Sequence, residues 1–214
     1  DEKPPAELAD RPLKNLTVVV FDTETTGLEP SRGDKMVSIA GVRIVNGRLL
    51  ESEIFDELIN PGRAIPRRST EVHGITDQMV TDAAPAGEVV TRFARFAENA
   101  VLVAHNAPFD MRFLTMAGEV SGLEFHNPVL DTVLLAAHVH GTGESLTLDR
   151  LAEIYRVELP DDVRHTALGD SLATAKVFLA LLGPLAAAGV TTLGEAIHAS
   201  EGQAALRRKQ ANYE

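Results

Sequence analysis

The residues of this chain that could do chemistry are acidic and lie far apart in sequence. Asp22 and Glu24 stand at the end of an apolar, β-branched run, residues 16–21. Residues i and i+2 of a strand point to one face, so these two carboxylates would sit side by side and repel unless a cation lies between them. Hard oxygen donors in such a place suit Mg²⁺ or Mn²⁺, although plain strand-end solvation produces the same pair. Asp110 lies one turn into a helix that follows a second short apolar run, and Asp170 lies in the first turns of a later helix. Each is also what a helix macrodipole favours at an N-terminus. His165 precedes Asp170 by 5 residues. An imidazole beside carboxylates is a common arrangement for a general base acting on water; the plain alternative is a solvated loop histidine.

Such scattered groups need a frame to bring them together. The run at 16–21 reads as a buried central strand. Residues 36–45 and 48–58 are two more strand candidates, joined by Asn46-Gly47, the favoured pair for a type I′ hairpin turn. Residues 85–98 carry Val89, Val90, Phe93 and Ala97 at helical spacing. Residues 101–104 form another buried-strand run, followed by a helix to about residue 120 in which Pro108 suits the first turn. Residues 128–130 read as a short strand, with Asp131 opening a helix to about 138; further helices are expected over 147–155 and 166–182, and two short pieces around 69–72 and after 76. Three meandering strands followed by alternating helices and strands predict an α/β fold, a mixed sheet with helices on its faces. Residues 1–15 are polar and Pro-containing and read as a flexible arm or linker. Gly183-Pro184 reads as a helix stop, leaving 184–214 as a helical appendage.

Three segments occur in order: Phe21-Asp22-Thr23-Glu24-Thr25-Thr26-Gly27, His105-Asn106-Ala107-Pro108-Phe109-Asp110, and His165-Thr166-Ala167-Leu168-Gly169-Asp170. Together they resemble the DEDDh, or DnaQ-like, exonuclease family, which includes the proofreading subunit of bacterial replicative polymerases. The resemblance covers about residues 16–182. It implies a ribonuclease-H-like fold, an antiparallel three-strand meander extended by parallel strands, over a domain at 16–183. It also implies 3′→5′ removal of nucleotides from a nucleic acid with a free 3′ end, giving nucleoside 5′-monophosphates. Asp22, Glu24, Asp110 and Asp170 would then hold two Mg²⁺ or Mn²⁺ ions, about 3.5–4 Å apart. In that scheme Asp22 bridges the pair, Glu24 and Asp170 hold the ion on the side of the attacking water, and Asp110 anchors the other. His165 is the general base, and its place before the last Asp selects the histidine subclass over a tyrosine one. Activity should rise as His165 loses its proton.

The same resemblance nominates residues around the terminal nucleotide. His73, in Glu71-Val72-His73-Gly74-Ile75, is a candidate contact, with Ile75 packing on sugar or base; a helix cap with Gly74 at C′ can hold at the same time. Thr25 and Thr26 could offer hydroxyl or backbone N–H groups to a 3′-hydroxyl. Phe109 could stack or belong to the core, and Asn106 could orient substrate or serve the turn. Asp131 is an N-cap or a residue behind the metals. Arg63, Arg67 and Arg68 are a solvated loop or a phosphate contact, and no metal is assigned to His138 and His140.

Composition narrows the classes. The 214 residues contain no cysteine, which excludes disulfide scaffolds and thiolate chemistry, and the net charge is -11. Proteins that wrap long duplexes by counterion release are basic, so extensive duplex wrapping is not expected. The run at 177–190 is too short for a bilayer and contains Pro184. The N-terminus has no signal-peptide h-region, and a cytoplasmic location with no membrane partner is expected. DNA is favoured over RNA or short oligoribonucleotides by the Thr-Glu-Thr-Thr-Gly segment. A catalytically silent nucleic-acid-binding module is the alternative from another class, and a polymerase or a further domain of a longer chain is a possible companion.

Overall fold

The computed structural model describes residues 3–211. The strands are β1 (Thr17–Thr25), β2 (Met36–Val45), β3 (Arg48–Leu58), β4 (Val101–Ala104) and β5 (Val129–Asp131). The helices are α1 (Ala6–Ala9), α2 (Arg67–His73), α3 (Asp77–Val80), α4 (Ala86–Phe96), α5 (Ala107–Val120), α6 (Thr132–His140), α7 (Leu148–Ile154), α8 (Ala167–Ala187), α9 (Leu193–Glu201) and α10 (Ala204–Ala211).

The sheet runs β3-β2-β1-β4-β5. β1–β2 and β2–β3 pair antiparallel, while β1–β4 and β4–β5 pair parallel. Asn46 and Gly47 both adopt positive φ at the first hairpin, as a type I′ turn requires. Alternation along β1 sorts the core into two layers. Val18 and Val20 pack with Val42, Val103 and the buried face of α8, whereas Val19 and Phe21 pack with Phe93 and Leu114 from α4 and α5. A smaller cluster, Val37, Ile65, Ile75 and Val80, lies under the segment carrying α2 and α3.

Two expectations differ from the structure. The arm expected at 1–15 is docked along its described part: Leu13 is buried, its backbone N–H donates to Thr191, and Leu193 N–H donates to Arg11. Apolar burial under α9 holds a segment whose composition reads as linker. Helix α8 also passes through Pro184 instead of stopping there. An interior proline costs about 3 kcal/mol, and the turn beyond it buries Leu185 and leads on to buried Val190. By length and composition α8 could cross a membrane. Here Val177, Phe178, Leu181 and Leu185 belong to the main core, and α8 packs on β1, β2 and α6.

Candidate active site

β1 is longer than its parallel neighbour. The ladder to β4 ends at Val20↔Val103, while β1 continues to Thr25 along β2. Its last residues therefore overhang the carboxyl ends of the parallel strands, the usual place for ligands in open α/β sheets. Asp22 and Glu24 share the parity of Val18 and Val20, and so face α8. A register shift between Glu24 and Thr25 ends the regular pairing, and such bulges re-aim side chains beside sites.

Asp170 arrives from the first turn of α8. Oxygens of Asp22, Glu24 and Asp170 lie within 4.8 Å of one another. That is close to the about 4.2 Å spanned by two trans bonds to Mg²⁺ of about 2.1 Å each. Asp110 comes from the opposite layer, through the first turn of α5. Its Oδ1 accepts the Thr23 backbone N–H at 3.2 Å and the Thr23 hydroxyl at 2.5 Å. Thr23 lies past the end of β4, so Asp110 takes up a strand N–H that the ladder leaves unpaired. Asp110 is nearly fully buried.

The electrostatics of this cluster are unfavourable as it stands. Burial, followed by the charges of Asp110, Glu24 and Asp170, pushes the Asp22 carboxyl well above the usual carboxylate range. Burial, then Asp170 and Asp110, raises Glu24 to about 8. Burial raises Asp110 to about 7, against the two Thr23 hydrogen bonds that oppose it. Two unit charges 4.8 Å apart repel by about 3 kcal/mol at an effective dielectric of about 20. A divalent cation would remove that penalty. The donor set is all hard oxygen, and Ser38, paired across the sheet from Glu24, has a buried hydroxyl with no partner among the described residues. These residues fit a divalent metal ion.

The loop before α8 is drawn tightly onto it. A Cβ on Gly169 would stand 1.9 Å from the Val163 carbonyl oxygen, so only glycine allows the approach. Thr166 caps the helix by accepting from Gly169 N–H at 3.0 Å. His165 adopts φ +67, a left-handed conformation uncommon outside glycine and associated with functional sites. Its backbone N–H donates to Asp170 Oδ1 at 3.2 Å. Its ring is exposed and makes no hydrogen bond among the described residues. Arg164, which the sequence reading passed over, pairs with Asp170 and with Asp149.

The residues expected around the terminal nucleotide make the following contacts within the protein. Thr25 donates its hydroxyl to Gly27 O at 2.7 Å. Thr26 is fully buried; its hydroxyl donates to Asp34 at 2.9 Å and accepts from Lys35 N–H at 3.0 Å, and its own N–H donates to Lys35 O. His73 accepts from Ile75 N–H on Nδ1 at 3.0 Å, which leaves Nε2–H to donate to Thr25 O at 3.2 Å. Burial lowers its pKa, in keeping with that neutral tautomer. Both hydroxyls and both ring nitrogens are thus committed inside the protein, and these residues shape the end of β1. Ile75 is buried in the small cluster under α2 and α3 instead of lying open to a sugar. Phe109 packs edge-on against Phe113 with centroids 5.1 Å apart. Asn106 caps α5 at φ +66, with its side-chain Oδ1 buried and unpaired among the described residues. Of the arginines, Arg63 bonds Gly33 O and reaches Asp34, Arg67 pairs with Glu71, and Arg68 is exposed.

Asp131 is the N-cap expected of it, accepting from Val133 N–H at 2.8 Å. It does more: it accepts from Asn106 N–H, Ala107 N–H and Gln210 Nε2 as well, bracing the turn that carries Asp110. Gln210, on α10, had no signal in its charged surroundings. His105 is neutral and structural; burial lowers it to about 4, and its ring joins Thr132 to the Leu146 carbonyl.

The sequence pattern of the RNase_T family, described as an exonuclease, matches residues 19–178, a stretch that holds all four carboxylates and His165. The chain belongs to this exonuclease family. Among relatives of the exonuclease domain, a DNA polymerase III subunit epsilon-like protein of Rhodobacter capsulatus is 58% identical over 187 residues, covering 87% of this chain and 27% of that protein. A PolC-type DNA polymerase III of Thermotoga petrophila is 38% identical over 187 residues, covering 87% of this chain and 13% of that one. The chain thus spans a minor part of these relatives. Among solved structures, exonuclease X in complex with 5′ overhanging duplex DNA gives a TM-score of 0.67 at 26% identity, covering 85% of this chain and 99% of that one. Exonuclease I of E. coli, in complex with a dT13 oligonucleotide, gives 0.66 at 16% identity over 82% of this chain and 43% of that one. The mixed sheet is that of the ribonuclease-H-like exonucleases.

Proposed function

We propose that this exonuclease domain hydrolyses phosphodiester bonds stepwise from the 3′ end of DNA, on single strands or frayed ends, releasing nucleoside 5′-monophosphates. The observation that carries this reading is the convergence of Asp22, Glu24 and Asp170 within 4.8 Å, with buried Asp110 acting on the same group from the other layer. Asp22 would bridge two Mg²⁺ or Mn²⁺ ions, Glu24 and Asp170 would complete the site on the side of the attacking water, and Asp110 would serve the second. Bound there, two such ions supply charge to the scissile phosphate, lower the pKa of the attacking water and neutralise the leaving 3′-oxygen.

The chain's own residues supply position and a proton acceptor. The His165 ring, exposed and with no hydrogen bond among the described residues, takes the proton of the attacking water on a ring nitrogen. Asp170 fixes the His165 backbone and so sets where that ring can reach. Thr25 and Thr26, locked by His73 and Asp34, give the 3′-terminal nucleotide a rigid wall.

The names of the relatives support DNA as substrate and a polymerase as companion. The test is digestion of 5′-labelled single-stranded DNA and matched RNA with Mg²⁺ or Mn²⁺. A ladder shortening from the 3′ end on DNA, abolished by chelator, is expected. Preference for RNA would transfer the reading to oligoribonucleotides, and binding without cleavage would make the chain a silent module.

A further inference from the structure

We propose that Arg164 is a built-in cation that competes with a divalent ion for Asp170, and that Asp149 is the berth to which its guanidinium withdraws when the ion binds. The inference rests on Asp170 being a metal ligand, as proposed above.

The geometry is that of a side chain shared between two carboxylates. Arg164 pairs through one terminal nitrogen with Asp170 Oδ1, and through Nε and its other terminal nitrogen with Asp149 Oδ1, each at 2.7 Å. Asp170 has a side-chain exposure of 15% and Asp149 one of 64%. The guanidinium thus bridges an inner carboxylate on α8 and an outer one on α7. Its charge reaches past Asp170, since it opposes the upward push on both Asp22 and Glu24.

The backbone under Arg164 has little room to move. Val163 is pressed against Gly169, and His165 N–H is bonded to Asp170. Relief of competition must therefore come from the side chain. Rotation onto Asp149 alone takes the guanidinium off Asp170 Oδ1, while the His165 N–H bond to Asp170 and the Arg164–Asp149 pairing still tether the loop. The His165 ring then keeps its position whether or not the ion is present. Arginine suits this task because its planar fork can hold two carboxylates at once.

The proposal predicts effects of opposite sign from two neighbouring residues. Arg164→Gln removes the competitor, so Mn²⁺ should bind about tenfold tighter, the scale of one unit charge acting on a divalent ion near a surface. Asp149→Asn removes the berth, so the guanidinium stays on Asp170 and Mn²⁺ should bind several-fold more weakly, within the same about tenfold scale. The double variant should match Arg164→Gln. Calorimetric titration of Mn²⁺ into chelator-treated protein without nucleic acid reads these affinities, and thermal melts in chelator verify folding. If Arg164→Gln does not fold, Asp149→Asn still decides, because its residue is exposed and outside the catalytic set. Any pattern without opposite signs, such as both variants weakening binding or neither changing it, overturns the proposal. Folded wild-type protein that binds no Mn²⁺ overturns both the proposal and the metal reading beneath it.

Discussion

The two halves of the site treat their polar groups in opposite ways. On one half, Asp22, Glu24 and Asp170 turn charged oxygens toward one another, with Arg164 as the cation near them. On the other, Thr25, Thr26, His73 and Asp34 use their hydroxyls, ring nitrogens and carboxylate on each other and on backbone. The first half holds repulsion that Arg164 and raised pKa values relieve only in part; the second is satisfied internally. Buried polar groups are normally paired, so the repelling half is the one that supports the proposed metal site, and the paired half is satisfied within the fold. Both sets of residues lie in motifs that look equally functional in sequence.

Substitutions should separate the halves. The largest effect is expected for Asp22→Asn, which should cut the rate of DNA hydrolysis by at least about a thousandfold, a barrier change of about 4 kcal/mol. Binding of a 3′-ended strand should persist, and single-turnover kinetics beside a binding titration measures both. His165→Gln should lower the maximal rate by about 10²–10⁴-fold and remove the rising limb of the pH–rate profile. A rate that is flat with pH in the wild type, with chemistry limiting, would exclude His165 as the base. On the satisfied half, Thr26→Val should cost about 1–3 kcal/mol of stability, because Asp34 and Lys35 N–H lose a buried partner. Its maximal rate at saturating substrate should stay within about threefold of wild type.

The halves also differ in their response to pH. Glu24, raised from 4.5 to about 8, and Asp110, raised from 3.8 to about 7, are disfavoured in the fold when ionised. Their stabilising contribution is complete below the unfolded values and is lost as pH rises through the folded ones. His105, lowered from 6.5 to about 4, works the other way: its contribution is present above 6.5 and is lost as pH falls toward 4. The melting temperature in chelator should therefore rise as pH drops from about 8, and should keep rising below about 6.5 because the two carboxyls outweigh the opposing His105. Saturating Mn²⁺ should remove most of the alkaline loss. A chelator curve that falls between about pH 8 and 6.5 would contradict the cluster's electrostatics.

The sheet was legible because strand patterns are local: a continuous apolar run, buried on both faces, marks the start of β1, and Asn46-Gly47 places the first hairpin. Motif order nominated the four carboxylates and His165, and the structure brings Asp22, Glu24 and Asp170 within 4.8 Å of one another. Contacts between distant segments were not. Nothing in the sequence near Thr23 points to Asp110, which lies 87 residues away, and nothing near Asp131 points to Gln210, 79 residues on. Gly169 sat inside a recognised segment and Arg164 just before it, yet their roles depend on how closely the loop packs on α8. Pro184 carries a strong local stop signal, and burial of Leu185 overrides it.

The most direct test of the central claim is anomalous scattering from crystals of the protein soaked in Mn²⁺ with a 3′-ended oligonucleotide. Two peaks about 3.5–4 Å apart are expected, one against Asp22, Glu24 and Asp170 and the other between Asp22 and Asp110. Well-ordered oligonucleotide with no manganese peak at these carboxylates would contradict it.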